Sequence, residues 1–221
     1  MLVPEVSQGA YGELGEVRKA CSEAIATLGE STDLVVIGAG RASRNHPSDA
    51  WGTFAGFGVD VRAGSPGTGG QGRASLPPTL TLGAWLLETQ LNRRPKRYVE
   101  ISQHDGGAEW HAVADTLVKT YDSGLGLLVV GCGSACRSDK APGAYDDRAD
   151  GFDAAVAKAL GEGDVNGLLD LDDDLAAQLM VDGLPVWKTA AYVWLRGRTP
   201  KPRLLANEAP YGVGYLVAAW T

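Results

Sequence analysis

The segment "GCGSACRSDKAPGAYDDRADGFD" holds the densest set of chemically active side chains in the chain. It contains a C-x-x-x-C pair, Cys132 and Cys136, and its basic residues alternate with aspartates. These basic residues are Arg137, Lys140 and Arg148. A thiolate is a nucleophile and a soft metal ligand, whereas a guanidinium offers a planar pair of donors to a carboxylate or a phenolate. The segment therefore allows a nucleophilic cysteine, a metal centre or a pocket for an anion.

Each of these chemistries has a structural alternative. Cys132 directly follows an apolar run, where a cysteine is commonly a small buried residue. Mixed charge at this density also forms ion pairs that brace a loop, so anion recognition and loop bracing both stay open for Arg137 and its neighbours. A zinc site would need two further soft ligands. The remaining cysteine and histidines, which lack paired metal spacing, are Cys21, His46, His104 and His111.

Strand-like and helix-like segments alternate along the chain. Continuous apolar runs predict buried strands, and a 3.6-residue spacing of apolar residues predicts helices. The predicted strands cover residues 33–38, 97–102, 126–131, 203–207 and 214–220, and the predicted helices cover 13–28, 80–91, 107–122, 149–160, 172–180 and 184–197. The alternation predicts an α/β fold with a mixed central sheet and helices on both faces, in a single domain over residues 1–221.

Two stretches complicate this pattern. Residues 1–6, "MLVPEV", have the composition of a truncated strand ahead of the first helix. A long irregular segment, residues 38–78, is rich in Gly, Ser and Pro, and "GFGVDVRAG" within it allows one short strand. Loops of this length are usually functional or contain short elements of their own.

Ligands of such sheets bind outside the carboxyl ends of the strands. The loops at these ends follow Gly38, Ser102 and Gly131, and a fourth covers residues 207–214. The first loop, "VVIGAGRAS", resembles a dinucleotide-binding fingerprint, but Ser43 stands where the third glycine belongs and no helix pattern follows. A tight turn that needs small residues is the better interpretation of this loop. His46 and His104 both follow predicted strands, so both could face the crevice.

Composition excludes several classes of partner. The net charge of −7 argues against nucleic acid or an anionic membrane, because both require a basic surface. No apolar stretch approaches the roughly 20 residues that span a bilayer. Three cysteines in 221 residues fit a reducing compartment. We therefore expect a cytoplasmic protein with no nucleic-acid or membrane partner.

Two long motifs resemble a known family. "VVGCGSACRSDKAPGAYDDRADGFDAAVAKAL" and "NEAPYGVGYLVAAW" are similar to a bacterial branch of the class III extradiol ring-cleavage dioxygenases, in the family of their catalytic subunits, and "LVPEV", "VVIGAG" and "TFAGFGVDVR" occur in the same order. The resemblance covers essentially the whole chain and implies a mixed α/β sheet flanked by helices. It also implies descent from enzymes that open catechol-type rings with ferrous iron, held by two histidines and a glutamate, and with a further histidine as acid/base catalyst.

The family's functional residues do not transfer to this chain. Arg137 stands in the place of the acid/base histidine, and the iron glutamate falls at about Lys188. Residues 38–41 occupy the turn of the second iron histidine, with His46 several residues later. The family's first strand and first iron histidine would precede Met1. Arginine has no lone pair for iron, and lysine must lose its proton to bind a metal.

We therefore expect a dioxygenase-like protein without ring cleavage or cofactor that binds a small anionic or phenolic molecule. The predicted ligand-binding residues are Arg41, Ser134, Arg137, Lys140, Glu208 and Tyr211. One alternative is an active Fe(II) dioxygenase whose metal ligands are His46, His104 and Glu208. Another is a structural or partner protein without a ligand, and a homo-oligomer is compatible with each of these hypotheses.

Overall fold

The chain alternates strands and helices in the order that its apolar runs predict. The computed structural model describes residues 2–7, 12–64, 75–121, 124–196 and 201–221. The helices are α1 Pro4–Ser7, α2 Gly15–Ala26, α3 Pro78–Leu91, α4 Gly107–Thr120, α5 Arg148–Glu162, α6 Val165–Leu169, α7 Asp173–Gln178 and α8 Leu184–Trp194. The strands are β1 Asp33–Gly40, β2 Arg44–Pro47, β3 Gly52–Thr53, β4 Arg62–Ala63, β5 Arg97–Ser102, β6 Leu125–Val130, β7 Pro202–Glu208 and β8 Tyr215–Trp220.

Four strands form the central sheet in the order β2-β5-β1-β6. β1 is parallel to both of its neighbours, β5 and β6. β2 is antiparallel to β5 and places His46 opposite Tyr98. The prediction of a mixed sheet is confirmed, and its three parallel strands correspond to the predicted strands at 33–38, 97–102 and 126–131.

Helices cover both faces of this sheet, as predicted. Val35 and Ile37 of β1 belong to an apolar core that includes residues of α4 through α8. Leu34 and Val36, which point the other way, belong to a second core with α2 and α3. Side chains alternate along a strand, so a strand that is apolar at every position needs a helical layer on each side.

Two hairpins lie outside the central sheet. β3 pairs with β4, and β7 pairs with β8, each pair antiparallel. The β7–β8 hairpin packs on α2 and α5. The two predicted C-terminal strands are therefore present, but they form a small sheet of their own.

Some local predictions differ from the structure. Residues 4–7 form the short helix α1, not a strand, with Pro4 at its first position, where the missing N–H of proline costs nothing. The strand allowed within residues 56–64 is limited to the two residues of β4. Met1, residues 65–74 and the predicted helix ends at 122 and 197 lie outside the described residues.

None of the helices in the described ranges is both long enough and apolar enough to cross a bilayer.

Candidate functional site

The carboxyl ends of β1, β5 and β6 meet at one border of the sheet, which we call the carboxyl edge. It consists of Gly40, Ser102, Val130 and the loops that follow them. Two helices begin beside it. Thr79, in the first turn of α3, donates its hydroxyl to Ala39 O at 2.6 Å, and Gly183, directly before α8, donates its N–H to Cys132 O at 3.0 Å. The positive ends of these helix dipoles favour negative charge at the carboxyl edge.

Arg41 follows β1 directly at this edge. Its backbone N–H donates to Glu100 Oε1 at 3.0 Å, which fixes the turn, while its side chain is exposed to solvent. Within the described part of the chain, its guanidinium forms no ion pair. The guanidinium of Arg41 is therefore exposed at the carboxyl edge, and its predicted role in ligand binding stays a prediction.

Glu100 is a site residue that the sequence reasoning missed. It is only 1% exposed on the central strand β5, yet it accepts hydrogen bonds from Arg44 Nε at 2.7 Å and from His46 Nε2 at 3.1 Å. Burial alone would raise the pKa of this carboxyl, but the hydrogen bonds from Arg44, His46 and the Arg41 N–H outweigh burial and lower it. A carboxylate within the apolar run "YVEIS" was the available signal.

The three residues of the alternative metal site do not come together. His46 is buried on β2, where its ring is held by Glu100. His104 is exposed in the turn after β5, and Glu208 is exposed at the end of β7. Among the described residues, no group of three His, Cys, Asp or Glu side chains could hold a metal ion. This corrects the expectation that these side chains could serve as an iron triad.

Cys132 is exposed and not buried, which corrects the structural alternative for this residue. The residue as a whole is exposed, but protein atoms around its sulfur reduce the solvation of a thiolate, and this effect together with the negative charge of Asp182 raises the pKa of Cys132 to about 12. Burial likewise raises the pKa of the Cys136 thiol. Both cysteines therefore carry protonated thiols at neutral pH, which disfavours nucleophilic catalysis.

Ser134 and Arg137 belong to a network around the buried Asp153. The N–H and the hydroxyl of Ser134 both donate to Asp153, each at 2.8 Å. Arg137 Nε lies 2.5 Å from Asp150, and its Nη1 lies 3.5 Å from Asp153. Ser134 is fully buried and its hydroxyl is already used, so the structure does not support a ligand-binding role for it. Arg137 is paired with two carboxylates, which favours loop bracing.

The other basic residues of the same segment divide into paired and open side chains. Arg148 forms an ion pair with Asp146 at 2.6 Å, and its hydrogen bonds lower the pKa of Asp146 to about 2. Lys140 is exposed.

Lys188, the residue in the approximate place of the iron glutamate, is buried and donates to Leu171 O at 2.8 Å. Its ammonium thus ties α8 to the connection between α6 and α7.

Backbone hydrogen bonds join the loop after β6 to the turn before β8. The Arg137 N–H donates to Gly212 O at 3.0 Å, so Tyr211 lies next to the segment that carries Lys140. Tyr211 is exposed with a φ of 59°, and a hydrogen bond with Glu13 raises the pKa of its phenol. Glu208 lies one turn away, opposite Tyr215 in the hairpin.

These features define an α/β protein with a mixed sheet whose carboxyl edge carries polar side chains. Neither the known family models nor the curated protein sequences include a match to the chain. Among solved structures, the chain is similar to the crystal structure of the uncharacterized protein JW3007 from Escherichia coli K12. The TM-score is 0.53 at 14% sequence identity, and the match covers 91% of each chain. At this identity the similarity shows a shared fold.

Proposed function

We propose that the protein binds a small anionic or phenolic molecule at the carboxyl edge, and that it is a class III extradiol dioxygenase-like protein without iron-dependent ring cleavage. One observation carries the proposal. Arg41 presents a guanidinium without an ion pair, in the described part of the chain, at the border where the strands of an α/β sheet bind ligands.

The surroundings of Arg41 support an anionic or phenolic partner. β1 and β6 are adjacent with Gly38 opposite Val130, so the loop after β6 leaves the same border of the sheet as the turn that carries Arg41. In that loop, burial and the negative charge of Asp182 raise the pKa of the Cys132 thiol to about 12, so the thiol stays uncharged at neutral pH. An uncharged thiol can donate a hydrogen bond and does not compensate the charge of Arg41. A benzoate or a phenolate fits such a mixed environment.

The absence of ring cleavage rests on the residues in the family's catalytic places. Arg137, at the acid/base position, is already paired with Asp150 and Asp153. A guanidinium cannot accept a proton at neutral pH, so it cannot replace a histidine base. Ligand binding could survive this change because Arg41, on a different strand, does not depend on it.

Calorimetric titration with 3,4-dihydroxybenzoate and with benzoate tests the proposal. We expect Arg41→Gln to weaken binding by about tenfold or more, because a hydrogen-bonded charge contributes roughly 1.5–3 kcal/mol. Arg94→Gln is the matched control, because Arg94 is an equally exposed arginine just before β5, at the opposite border of the sheet. Its affinity should equal that of the unmodified protein.

Two results would contradict the proposal in different ways. Fe²⁺ added anaerobically, followed by a panel of catechols and oxygen, would give a yellow ring-cleavage product with turnover if the protein were an active dioxygenase. If neither acid bound, or if Arg41→Gln and Arg94→Gln bound equally well, the carboxyl edge would not be an anion site. A structural or partner protein without a ligand would then be the better description.

A further inference from the structure

An apolar cavity of about 340 Å³ lies between β6 and β8, and we call it the wedge. Its walls include Ala24 from α2, Leu28 after that helix, and Trp187 and Trp194 from α8. Small residues such as Gly126 and Ala218 leave the space between the strands open. The wedge runs along the strands and contains none of the six residues predicted to bind a ligand.

Two unpaired strand edges face each other across the wedge. In the described ranges, β6 pairs with β1 alone and β8 pairs with β7 alone. The cavity is lined by the consecutive residues 125–129 of β6 and 218–221 at the end of β8. Successive side chains point to opposite faces of a strand, so a cavity lined by consecutive residues adjoins the edges of both strands. Along residues 125–129 and 218–220, within the described ranges, the backbone N–H and C=O groups on these edges have no partner strand.

The two strands are joined at one end and separate toward the other. Next to the carboxyl edge, Gly133 N–H donates to Gly214 O at 2.9 Å, and Gly214 N–H donates to Ser134 O at 2.8 Å. Beyond these two bonds β6 and β8 are not paired with each other. The wedge is therefore closed beside Gly214, and from there its lining extends to an open end at Leu125 and Thr221.

Volume alone does not select the occupant, because cavities of about 300 Å³ and more also hold small molecules. The unpaired backbone edges of β6 and β8 indicate which kind of occupant fits the wedge. A small apolar molecule would leave two rows of peptide groups without partners, whereas an extended peptide would pair with both rows. Helices supply an apolar wall on each side of the wedge, as they do around β1. A strand between these walls must be apolar on both faces.

We propose that the wedge binds an extended apolar peptide segment, parallel to β6 and antiparallel to β8, which joins the central sheet and the β7–β8 hairpin into one continuous sheet. Leu2 packs beside Tyr215 and Val217, near the closed end of the wedge. A segment attached ahead of Leu2 would thus enter from the open end and run in the direction of β6. This inference does not depend on the proposed function, because Arg41 takes no part in it.

A fusion protein tests the proposal on the full chain. Six alternating valine and alanine residues are joined to the N-terminus through a short glycine–serine linker. We expect the thermal midpoint to rise by about 5 °C or more, since 1 kcal/mol shifts it by roughly 2–4 °C at this chain length. Amide exchange of residues 125–130 should slow at least about tenfold, because pairing protects the amides of β6.

Two control proteins separate strand insertion from other effects. A fusion with proline at alternate positions cannot pair its backbone, so it should leave the midpoint and the exchange rates unchanged. Ala190→Trp places a large side chain on the α8 wall of the wedge, and in this background the valine–alanine fusion should lose its stabilisation. Circular dichroism verifies that each variant is folded.

Each result of the fusion and dye-binding experiments either supports or overturns strand insertion. Equal midpoints for the valine–alanine and proline fusions would overturn the proposal. It would also fail if anilinonaphthalene sulfonate bound the wedge with equal fluorescence in both fusions, because the wedge would then be a small-molecule cavity. Displacement of the dye by the valine–alanine segment alone would support strand insertion. None of these outcomes bears on anion binding at Arg41, so the two proposals can fail separately.

Discussion

At the scale of single residues, Glu100 organises the carboxyl edge. This one carboxylate accepts hydrogen bonds from the Arg41 backbone, from Arg44 and from His46, and so links the turn after β1 to strands β2 and β5. Buried carboxylates are costly unless several donors compensate them. Because three donors hold Glu100, the position of the Arg41 backbone is set by a carboxylate on a neighbouring strand.

Glu100→Gln should reduce the free energy of unfolding at pH 7 by about 2 kcal/mol, because a neutral amide removes the negative charge that faces the Arg44 guanidinium and one of the acceptor oxygens. The folded-state pKa of Glu100 is lowered. Its ionised form therefore contributes its full stabilisation above the ordinary pKa of about 4.3, and this contribution is lost as the pH falls through the lower folded value. The difference between the two proteins should thus shrink below about pH 4.

Urea unfolding at pH 7, 5 and 3.5 measures this difference. Glu30→Gln is the control, since Glu30 is exposed in the turn before β1 and its replacement should have little effect at any of these pH values. A Glu100→Gln deficit that stays constant from pH 7 to 3.5 would show that the effect is steric and not electrostatic.

At the scale of secondary-structure elements, the Glu100 side chain of β5 occupies the space beside Gly40 of β1. A Cβ added there would lie 2.2 Å from Glu100 Oε1, a distance that requires the carboxylate to move. Gly151 in α5 offers the opposite case, because a Cβ there would meet nothing within 4 Å. Alanine substitution at Gly40 therefore tests a packing requirement, whereas alanine substitution at Gly151 tests only the conformational freedom of glycine in a helix.

Gly40→Ala should destabilise the protein by about 2 kcal/mol through overpacking against Glu100. Gly151→Ala should stabilise it by roughly 0.5–1 kcal/mol, since alanine is the better residue within a helix. Denaturant midpoints of both variants measure the difference. A neutral Gly40→Ala variant would mean that Glu100 can shift without losing its partners.

Elements were predictable where the chain is apolar over a sufficient length. β1, β5 and β6 have continuous apolar runs, and α3 and α4 have a clear helical period, so their bounds agree with the structure within a few residues. β2 was not predicted because Arg44–Pro47 is mostly polar, mostly exposed and ends in proline, as edge strands often do. Its pairing depends on Glu100, and no local pattern contains that contact.

The candidate site was predictable only in part. The loops at strand ends could be found from the α/β pattern, and Arg41 and the segment around Lys140 lie on them. The pairing of Arg137 with Asp150 and Asp153 could not be read from the sequence, because it depends on where α5 docks against the loop after β6. The same limit applies to Cys132, whose exposure is set by tertiary packing.

At the scale of the whole molecule, the β7–β8 hairpin is attached differently from the other strands. In the described chain it has no ladder with the central sheet, and it contacts the rest through side chains on α2 and α5 and a few loop hydrogen bonds. Units that share few backbone bonds with their surroundings can open separately from the global unfolding reaction.

We expect the amides of β7 and β8 to exchange through such a separate opening, at least about tenfold faster than those of β1. Native-state hydrogen exchange with mass spectrometry, repeated at low denaturant concentrations, measures both strands in one experiment. Similar exchange of β1 and β8 at every denaturant concentration would indicate a single cooperative unit.

The turn after β1 also has a consequence for nucleotide recognition. Phosphate-binding turns present backbone N–H groups to an anion that comes from outside. Here the Arg41 N–H already holds an anion that belongs to the protein, the carboxylate of Glu100. Gly40 of "VVIGAGRAS" makes room for this carboxylate, since a Cβ at Gly40 would collide with it. The phosphate of a dinucleotide would have to displace a carboxylate held by three donors. The anion-binding position of this turn is therefore already occupied by a side chain of the same protein.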